Sequence, residues 1–169
     1  MKKYVFVING PGGVGKDTLC AMAAKHFKVK NVSSITPIKE LAATCGWAGE
    51  KTDRARRFLA DLKALTAAYN DYPTAWITGQ YRAILAGDAE ILFVHIREGE
   101  EIRKFVDATA GDAKTLLVRA DRRMAAHTYG NASDDMVENY DYDYYFDNDD
   151  APEVAAEKFI AFLSSIAEA

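Results

Sequence analysis

A glycine-rich segment with a lysine and an acid lies close to the amino terminus. It reads Gly-Pro-Gly-Gly-Val-Gly-Lys-Asp-Thr over residues 10–18, directly after the apolar run 4–9. Glycines let the backbone turn successive N–H groups toward an anion, and a following helix adds the partial positive charge of its amino terminus. Lys16 stands where a lysine contacts the terminal phosphates of a nucleotide. The segment therefore predicts a binding site for a nucleoside triphosphate.

The residue after the lysine departs from the usual form of this loop. That position normally holds Ser or Thr, whose hydroxyl binds Mg²⁺, and here it holds Asp17. As a hard oxygen ligand, Asp17 can bind Mg²⁺ directly or through water. As an acid in a first helical turn, it can instead stabilise the helix dipole, and both interpretations stay open. The residues predicted to bind ATP and Mg²⁺ are Gly10, Gly12, Gly13, Val14, Gly15, Lys16, Asp17 and Thr18, with Asp17 as the metal ligand.

Length and composition narrow the class of protein. The 169 residues predict one domain with a three-layer core, and the net charge of −4 argues against a groove for a nucleic acid polymer. No stretch approaches a membrane span, and the first apolar run is too short for a signal peptide. We therefore expect a cytoplasmic enzyme, a monomer or homodimer. Cys20 and Cys45 both fall in apolar helical patterns, which predicts core thiols.

Apolar runs alternate with helical patterns along the chain. Strands are predicted at 4–9, 29–34, 91–96, 114–119 and 142–146. This alternation predicts an α/β fold, a three-layer α/β/α sandwich around a five-stranded parallel sheet. Ligands of such sheets bind beyond the carboxyl ends of the strands. The long helix that follows the polar break 46–51 is expected to turn four apolar residues inward: Phe58, Leu59, Leu62 and Leu65.

Several segments together resemble the nucleoside monophosphate kinase branch of the P-loop kinases. The ending Gly-Lys-Asp-Thr of the loop is characteristic of the deoxynucleoside monophosphate kinase and phosphomevalonate kinase-like group. Thr-Pro-Ile-Lys-Glu at 36–40 looks like the opening of the family's substrate-side helix, and 97–101 looks like its arginine followed by an acid. Residues 146–149 are similar to its last strand and base-side loop. The chain is also similar to dephospho-CoA kinase-like P-loop kinases.

The resemblance implies one P-loop NTPase domain that moves the γ-phosphate of ATP, with Mg²⁺, onto a nucleoside or deoxynucleoside monophosphate. It implies a short lid-like segment around 120–135, and it places Asn148 on the nucleotide's base side. His127 with Ser133 and Asp134 is similar to a His…Ser-Glu element, in which Asp134 is the shorter acid. His95 stands where the family usually has an Asp, so it is either a core histidine or a substitute that orients a magnesium-bound water.

Basic residues after the strands are candidates for contacts with phosphate. Transfer of a phosphoryl group needs positive charge and positioning more than covalent chemistry. Arg119 and Arg123 follow a predicted strand, and with Lys16 and Arg97 they are the predicted catalytic residues.

On the acceptor side, Arg54 and Arg57 share one helical face and are predicted to hold the acceptor phosphate, together with Arg97. Arg56 is expected to face solvent. The resemblance adds Lys39 to the same side.

Three functions remain open at this point. The first is a kinase of nucleoside or deoxynucleoside monophosphates, with a small-molecule phosphate acceptor as its partner. The second is the same chemistry on a non-nucleotide phosphorylated metabolite. The third is a non-catalytic nucleotide-binding protein, which the His95 substitution favours.

Overall fold

The strands form a single parallel sheet in the computed structural model, which describes residues 2–125 and 137–168. Within those residues the sheet has five strands in the order β2-β3-β1-β4-β5. Neighbouring strands are parallel throughout, with Val7 opposite Val94 on one side and Thr115 on the other. The strands are β1 (Tyr4–Asn9), β2 (Val29–Ser33), β3 (Ile91–His95), β4 (Ala113–Arg119) and β5 (Tyr144–Asp147). The predicted five-stranded parallel sheet is confirmed.

Helices cover both faces of the sheet. In order they are α1 (Lys16–Ala23), α2 (Thr36–Thr44), α3 (Asp53–Asn70), α4 (Tyr72–Ala86), α5 (Gly99–Ala108), α6 (Asp121–Met124) and α7 (Pro152–Glu168). Side chains alternate along β1, so that Phe6 and Ile8 pack with α1 and α7, whereas Val5 and Val7 pack with α4 and α5. This two-sided burial explains why the central strands are continuously apolar. Within the described part of the chain, no helix is long and apolar enough to cross a bilayer.

Two expectations about packing are wrong, and one strand boundary differs. Cys45 is exposed, because it follows the last residue of α2, and only Cys20 is a core thiol. Phe58 and Leu65 are exposed rather than inward, and Ala55 is the one buried residue of α3. The last strand begins at Tyr144, two residues later than predicted. Helix α3 therefore packs at the edge of the molecule and turns one face toward the ends of the strands.

The difference in burial between two leucines gives a test of this packing. Leu163 of α7 is 3% exposed in the core against β1 and β3, whereas Leu65 is 68% exposed. We expect Leu163→Ala to lower the free energy of unfolding by about 2–5 kcal/mol, because it leaves a cavity. Leu65→Ala should change it by less than about 0.5 kcal/mol. Urea denaturation followed by circular dichroism measures both, and equal losses would contradict the described position of α3.

Candidate active site

The strand that precedes the glycine-rich loop ends in a buried asparagine. The Oδ1 of Asn9 accepts a hydrogen bond from the N–H of Gly10 (2.9 Å). Its Nδ2 donates to the carbonyl of Arg97 (3.1 Å) and to the hydroxyl of Tyr142 (2.8 Å). The hydroxyl of Tyr142 donates in turn to the carbonyl of Val137 (2.8 Å). Asn9 therefore ties the start of the loop to the end of β3, a role that the sequence analysis missed.

Glycine is required at two points of the loop. Gly10 and Gly15 have φ angles of +148° and +96°, in the range that favours glycine. A Cβ on Gly10 would lie 2.5 Å from the carbonyl oxygen of Val118, and one on Gly15 would lie 2.5 Å from the Nδ2 of Asn148. The loop thus approaches the ends of β4 and β5 as closely as backbone allows.

One carbonyl fixes the loop to the far side of the sheet. The carbonyl of Val14 accepts hydrogen bonds from Asn148 Nδ2 (2.8 Å) and from Arg123 Nη2 (2.9 Å). Arg123 Nη2 also donates to the carbonyl of Asn148 (3.2 Å). The carboxylate of Asp149 accepts from the backbone N–H groups of Arg122 (3.3 Å) and Arg123 (2.9 Å), which lowers the pKa of Asp149. Asn148 and Arg123, both predicted site residues, therefore meet at the loop.

The lysine of the loop lies over the loop itself. Its Nζ donates to the carbonyls of Gly10 (2.5 Å) and Pro11 (3.0 Å). This position keeps the ammonium group beside the N–H groups of the loop, where the phosphates of a nucleotide would bind.

The side chain of His95, at the end of β3, lies close to Asn31 of β2 and to Asp17 in the first turn of α1. His95 Nε2 is 2.7 Å from Asn31 Oδ1 and 4.0 Å from Asp17 Oδ1. Because an amide oxygen only accepts, Nε2 is the protonated nitrogen that donates to Asn31. Burial lowers the pKa of His95 and outweighs the nearby charge of Asp17, which acts in the opposite direction; Lys16 and Arg97 lower the pKa further. Burial also raises the pKa of Cys20, 4.0 Å from the same nitrogen, to about 12. His95 is therefore a neutral hydrogen-bonded group and Cys20 a protonated thiol at neutral pH.

A cavity of about 970 Å³ opens beside the loop. It lies between the loop, the ends of β2 and β3, and helices α2 and α3, and it is at the upper end of the size range of ligand clefts. Its charged lining residues are Lys16, Lys39, Arg56, Lys63, Arg97, Asp17 and Glu98. Five of these are basic and two are acidic, in a chain whose net charge is −4. The cavity is therefore suited to anionic ligands.

Most of the predicted site residues meet at this cavity. Loop residues Gly12, Gly13, Gly15, Lys16, Asp17 and Thr18 line it, as do Lys39 and Arg97. Arg56 is exposed, as expected, with a side chain that is 69% accessible, and it also lines the cavity. Helix α3 presents to the cavity the face formed by Arg56, Leu59, Ala60 and Lys63, whereas Arg54 and Arg57, also exposed, are not among its lining residues.

Arg119 lies apart from that cavity. Its Nη2 pairs with Glu138 Oε2 (2.9 Å), and its guanidinium stacks 4.3 Å from the centroid of the Tyr145 ring. Its predicted catalytic role stays a prediction. The candidate residues His127, Ser133 and Asp134 lie outside the described residues, as does most of the predicted lid-like segment 120–135, of which the short helix α6 is the start.

The residues at the loop fit a magnesium ion that is shared with phosphates. Among residues 2–125 and 137–168, no group of three or more His, Cys, Asp and Glu could hold a metal ion. Mg²⁺ is commonly bound by one or two carboxylates together with phosphate oxygens and water. Asp17, whose side chain is almost fully exposed at the start of α1, supplies one such carboxylate, and Thr18 beside it supplies a hydroxyl.

Solved structures with this architecture include several small kinases. The tunicamycin resistance protein of Deinococcus radiodurans matches with a TM-score of 0.59 at 13% identity, over 96% of both chains. A gluconokinase from Sinorhizobium meliloti 1021 gives 0.54 at 14% identity, over 98% of this chain and 94% of its own. Mycobacterium tuberculosis APS kinase, in complex with AMPPNP and APS, gives 0.51 at 15%, over 96% and 98%. No protein-family model matches the chain, and no curated protein matches it significantly. The chain has the fold of the P-loop kinases.

The close approach at Gly15 yields a prediction about nucleotide binding. Gly15→Ala would place a methyl group against Asn148 and strain a left-handed backbone, at a cost of about 1–3 kcal/mol. We expect ATP affinity to fall by about 10-fold or more in a fluorescence titration. Gly79→Ala is the matched control, because nothing lies within 4 Å of its Cβ in α4. Wild-type affinity in Gly15→Ala would contradict the described loop.

Proposed function

We propose that this protein transfers the γ-phosphate of ATP to a nucleoside or deoxynucleoside monophosphate. The observation that carries the proposal is the basic cavity next to the loop. Lys39, Arg56 and Arg97 line the same cavity as Lys16, so an acceptor phosphate bound by them would face the end of a triphosphate on the loop. Phosphoryl transfer requires this kind of in-line placement within positive charge.

The residues of the loop divide the work of holding ATP. Lys16 neutralises the terminal phosphates, and the backbone around Gly13 and Gly15 turns its N–H groups toward them. Arg123 and Asn148 keep the loop in shape through the Val14 carbonyl. When bound, Mg²⁺ would neutralise charge on the β- and γ-phosphates, and Asp17 is the residue that would hold it.

The chemistry of the cavity fits an acceptor that is already anionic. A phosphate monoester carries its own nucleophilic oxygen at neutral pH, so cations that position it matter more than a strong base. The acids among the lining residues are Asp17, at the metal position, and Glu98, which is paired with Lys63. His95 Nε2 is hydrogen-bonded to Asn31, so this nitrogen is not available to act as a base. The lining therefore favours a phosphorylated acceptor over a neutral alcohol.

A phosphorylated metabolite without a base is the second candidate acceptor. None of the described residues that line the cavity is Phe, Tyr or Trp, so the stacking surface that most favours a base is missing among them. Tyr69 of α3 is exposed, and Tyr81 is buried in the core under the sheet. Of the solved structures, the gluconokinase is named for a substrate that is not a nucleotide, and the APS kinase for one that is. The nucleotide acceptor leads because Lys39 and Arg97, the residues carried by the resemblance, both line the cavity.

An assay of phosphate transfer tests the proposal. The protein is incubated with ATP and Mg²⁺ against ribo- and deoxynucleoside monophosphates and a set of phosphorylated metabolites, and ADP and the new product are quantified. We expect turnover of a monophosphate, and a loss of about 100-fold or more in Lys16→Ala, since it removes the cation at the transferring phosphate. Lys25→Ala, at an exposed lysine beyond α1, is the control. Binding of ATP without any product would contradict a kinase of these acceptors.

Arg56 and Arg54 lie on different faces of α3, so we expect their substitutions to affect the KM for the acceptor differently. Arg56→Ala should raise the KM for the acceptor by about 10- to 100-fold, because a charged contact to its phosphate is lost. Arg54→Ala should change that KM by less than about threefold, since Arg54 lies outside the cavity lining. Steady-state kinetics at saturating ATP measure both. A larger effect at Arg54 than at Arg56 would show that the sequence-based assignment of this face was the better one.

A further inference from the structure

We propose that Glu98 determines acceptor specificity by accepting hydrogen bonds from donor groups at the end of the acceptor that lies away from its phosphate. This inference rests on the proposed function. It concerns the far part of the same cavity, and it assigns to that part a class of ligand group, a hydroxyl or an amino group.

Glu98 stands at the junction of two cavities. It follows Arg97 and directly precedes α5, with its side chain 54% exposed. It lines the large cavity beside the loop and also a second one of about 350 Å³ between α3, α4 and α5. Lys63 of α3 lines both cavities as well. Arg97 and Glu98 are consecutive and both line the large cavity, so an acceptor held by Arg97 lies within reach of Glu98.

Lys63 holds Glu98 in place. Its Nζ lies 2.8 Å from Glu98 Oε2 and 2.8 Å from Glu101 Oε2, with the Lys63 side chain 21% exposed. Burial opposes the charge on Lys63, but the two carboxylates outweigh it and raise the pKa of Lys63. Because its charge is shared between two acids, Lys63 is a positioning residue for Glu98 and adds little attraction for a phosphate.

Glu101 also binds Lys63, and one of its two carboxylate oxygens has no hydrogen-bond partner among the described residues. Its side chain is 11% exposed, and its Oε1 is buried without a hydrogen-bond partner among the described residues. Burial raises the pKa of Glu101, whereas at Glu98 the interactions with Glu101 and Lys63 together overcome burial and lower the pKa. Glu98 is thus an ionised carboxylate, which only accepts hydrogen bonds. A buried acceptor oxygen without a partner beside it also calls for a donor.

The large cavity is mainly basic near the loop, whereas the smaller cavity is mainly acidic. The end near the loop carries four basic residues and one acid: Lys16, Lys39, Arg56 and Arg97 against Asp17. The smaller cavity carries four acids against two lysines: Asp71, Glu98, Glu100 and Glu101 against Lys63 and Lys104. A ligand that spans from one to the other would place an anion at the first end and hydrogen-bond donors at the second. Nucleoside monophosphates with an amino group on the base or a 2′-hydroxyl have this form.

The test pairs a protein change with a ligand change. GMP is compared with IMP, which lacks the 2-amino group, and with dGMP, which lacks the 2′-hydroxyl, by calorimetric binding and by kcat/KM with ATP. In the wild-type protein we expect GMP to be favoured over at least one partner by about 10-fold or more. Glu98→Gln should reduce that ratio to about threefold or less, by weakening GMP alone. Lys63→Met should reduce the same ratio with Glu98 still present, chiefly through KM.

Glu157→Gln is the matched control, an exposed acid of α7 on the other face of the sheet, and it should leave every ratio unchanged. Equal use of GMP, IMP and dGMP by the wild-type protein, or ratios that persist in Glu98→Gln, would overturn the inference while the kinase activity stands. Failure of the wild-type protein to phosphorylate any of the three would overturn this inference, and failure with every monophosphate of the wider panel would overturn the nucleotide acceptor as well.

Discussion

The hydrogen bonds to the Val14 carbonyl are the contact on which the site depends. A glycine-rich loop has many accessible conformations, and its N–H groups form an anion site only when one of them is fixed. Asn148 and Arg123 fix it from the ends of β5 and β4, and Asn9 fixes its start. The space for this contact exists because Gly10 and Gly15 have no side chain.

The sheet brings these distant residues together. Parallel strands place their carboxyl ends along one edge, so residues 9, 33, 95, 119 and 147 line that edge although long stretches of chain separate them. The apolar strands are buried on both faces and provide the rigid support. Helix α3 is the opposite case, with only Ala55 buried, and it is joined to the start of α5 through Lys63, Glu98 and Glu101. The α3 side of the cavity is thus held by charge pairs, whereas the loop side rests on the packed core and on the hydrogen bonds to Val14 and Gly10.

Sequence predicted the parts of the molecule that depend on local pattern. The loop, the parallel sheet and the placement of Lys39 and Arg97 follow from short motifs and from continuous apolar runs. The facing of α3 follows only in part, because Phe58, Leu59, Leu62 and Leu65 form one helical stripe but the helix does not bury that stripe evenly. Ala55 is buried and Leu59 and Leu62 are half-buried, whereas Phe58 and Leu65, on one side of the stripe, are exposed. The helix is thus rotated toward its Leu59 side, where Arg56 and Lys63 line the cavity.

Polar contacts between residues that are far apart in the chain could not be predicted from local sequence pattern either. Asn9 gave one signal, a polar residue at the end of a buried strand directly before the loop, but its partners Arg97 and Tyr142 are far along the chain. We propose that the loop and the basic cavity hold two phosphorylated ligands that face each other. Adenosine and guanosine joined through five phosphates would fill both sites with one molecule. In a calorimetric titration we expect this molecule to bind at least about 100-fold more tightly than ATP. Affinity no greater than that of ATP would contradict it.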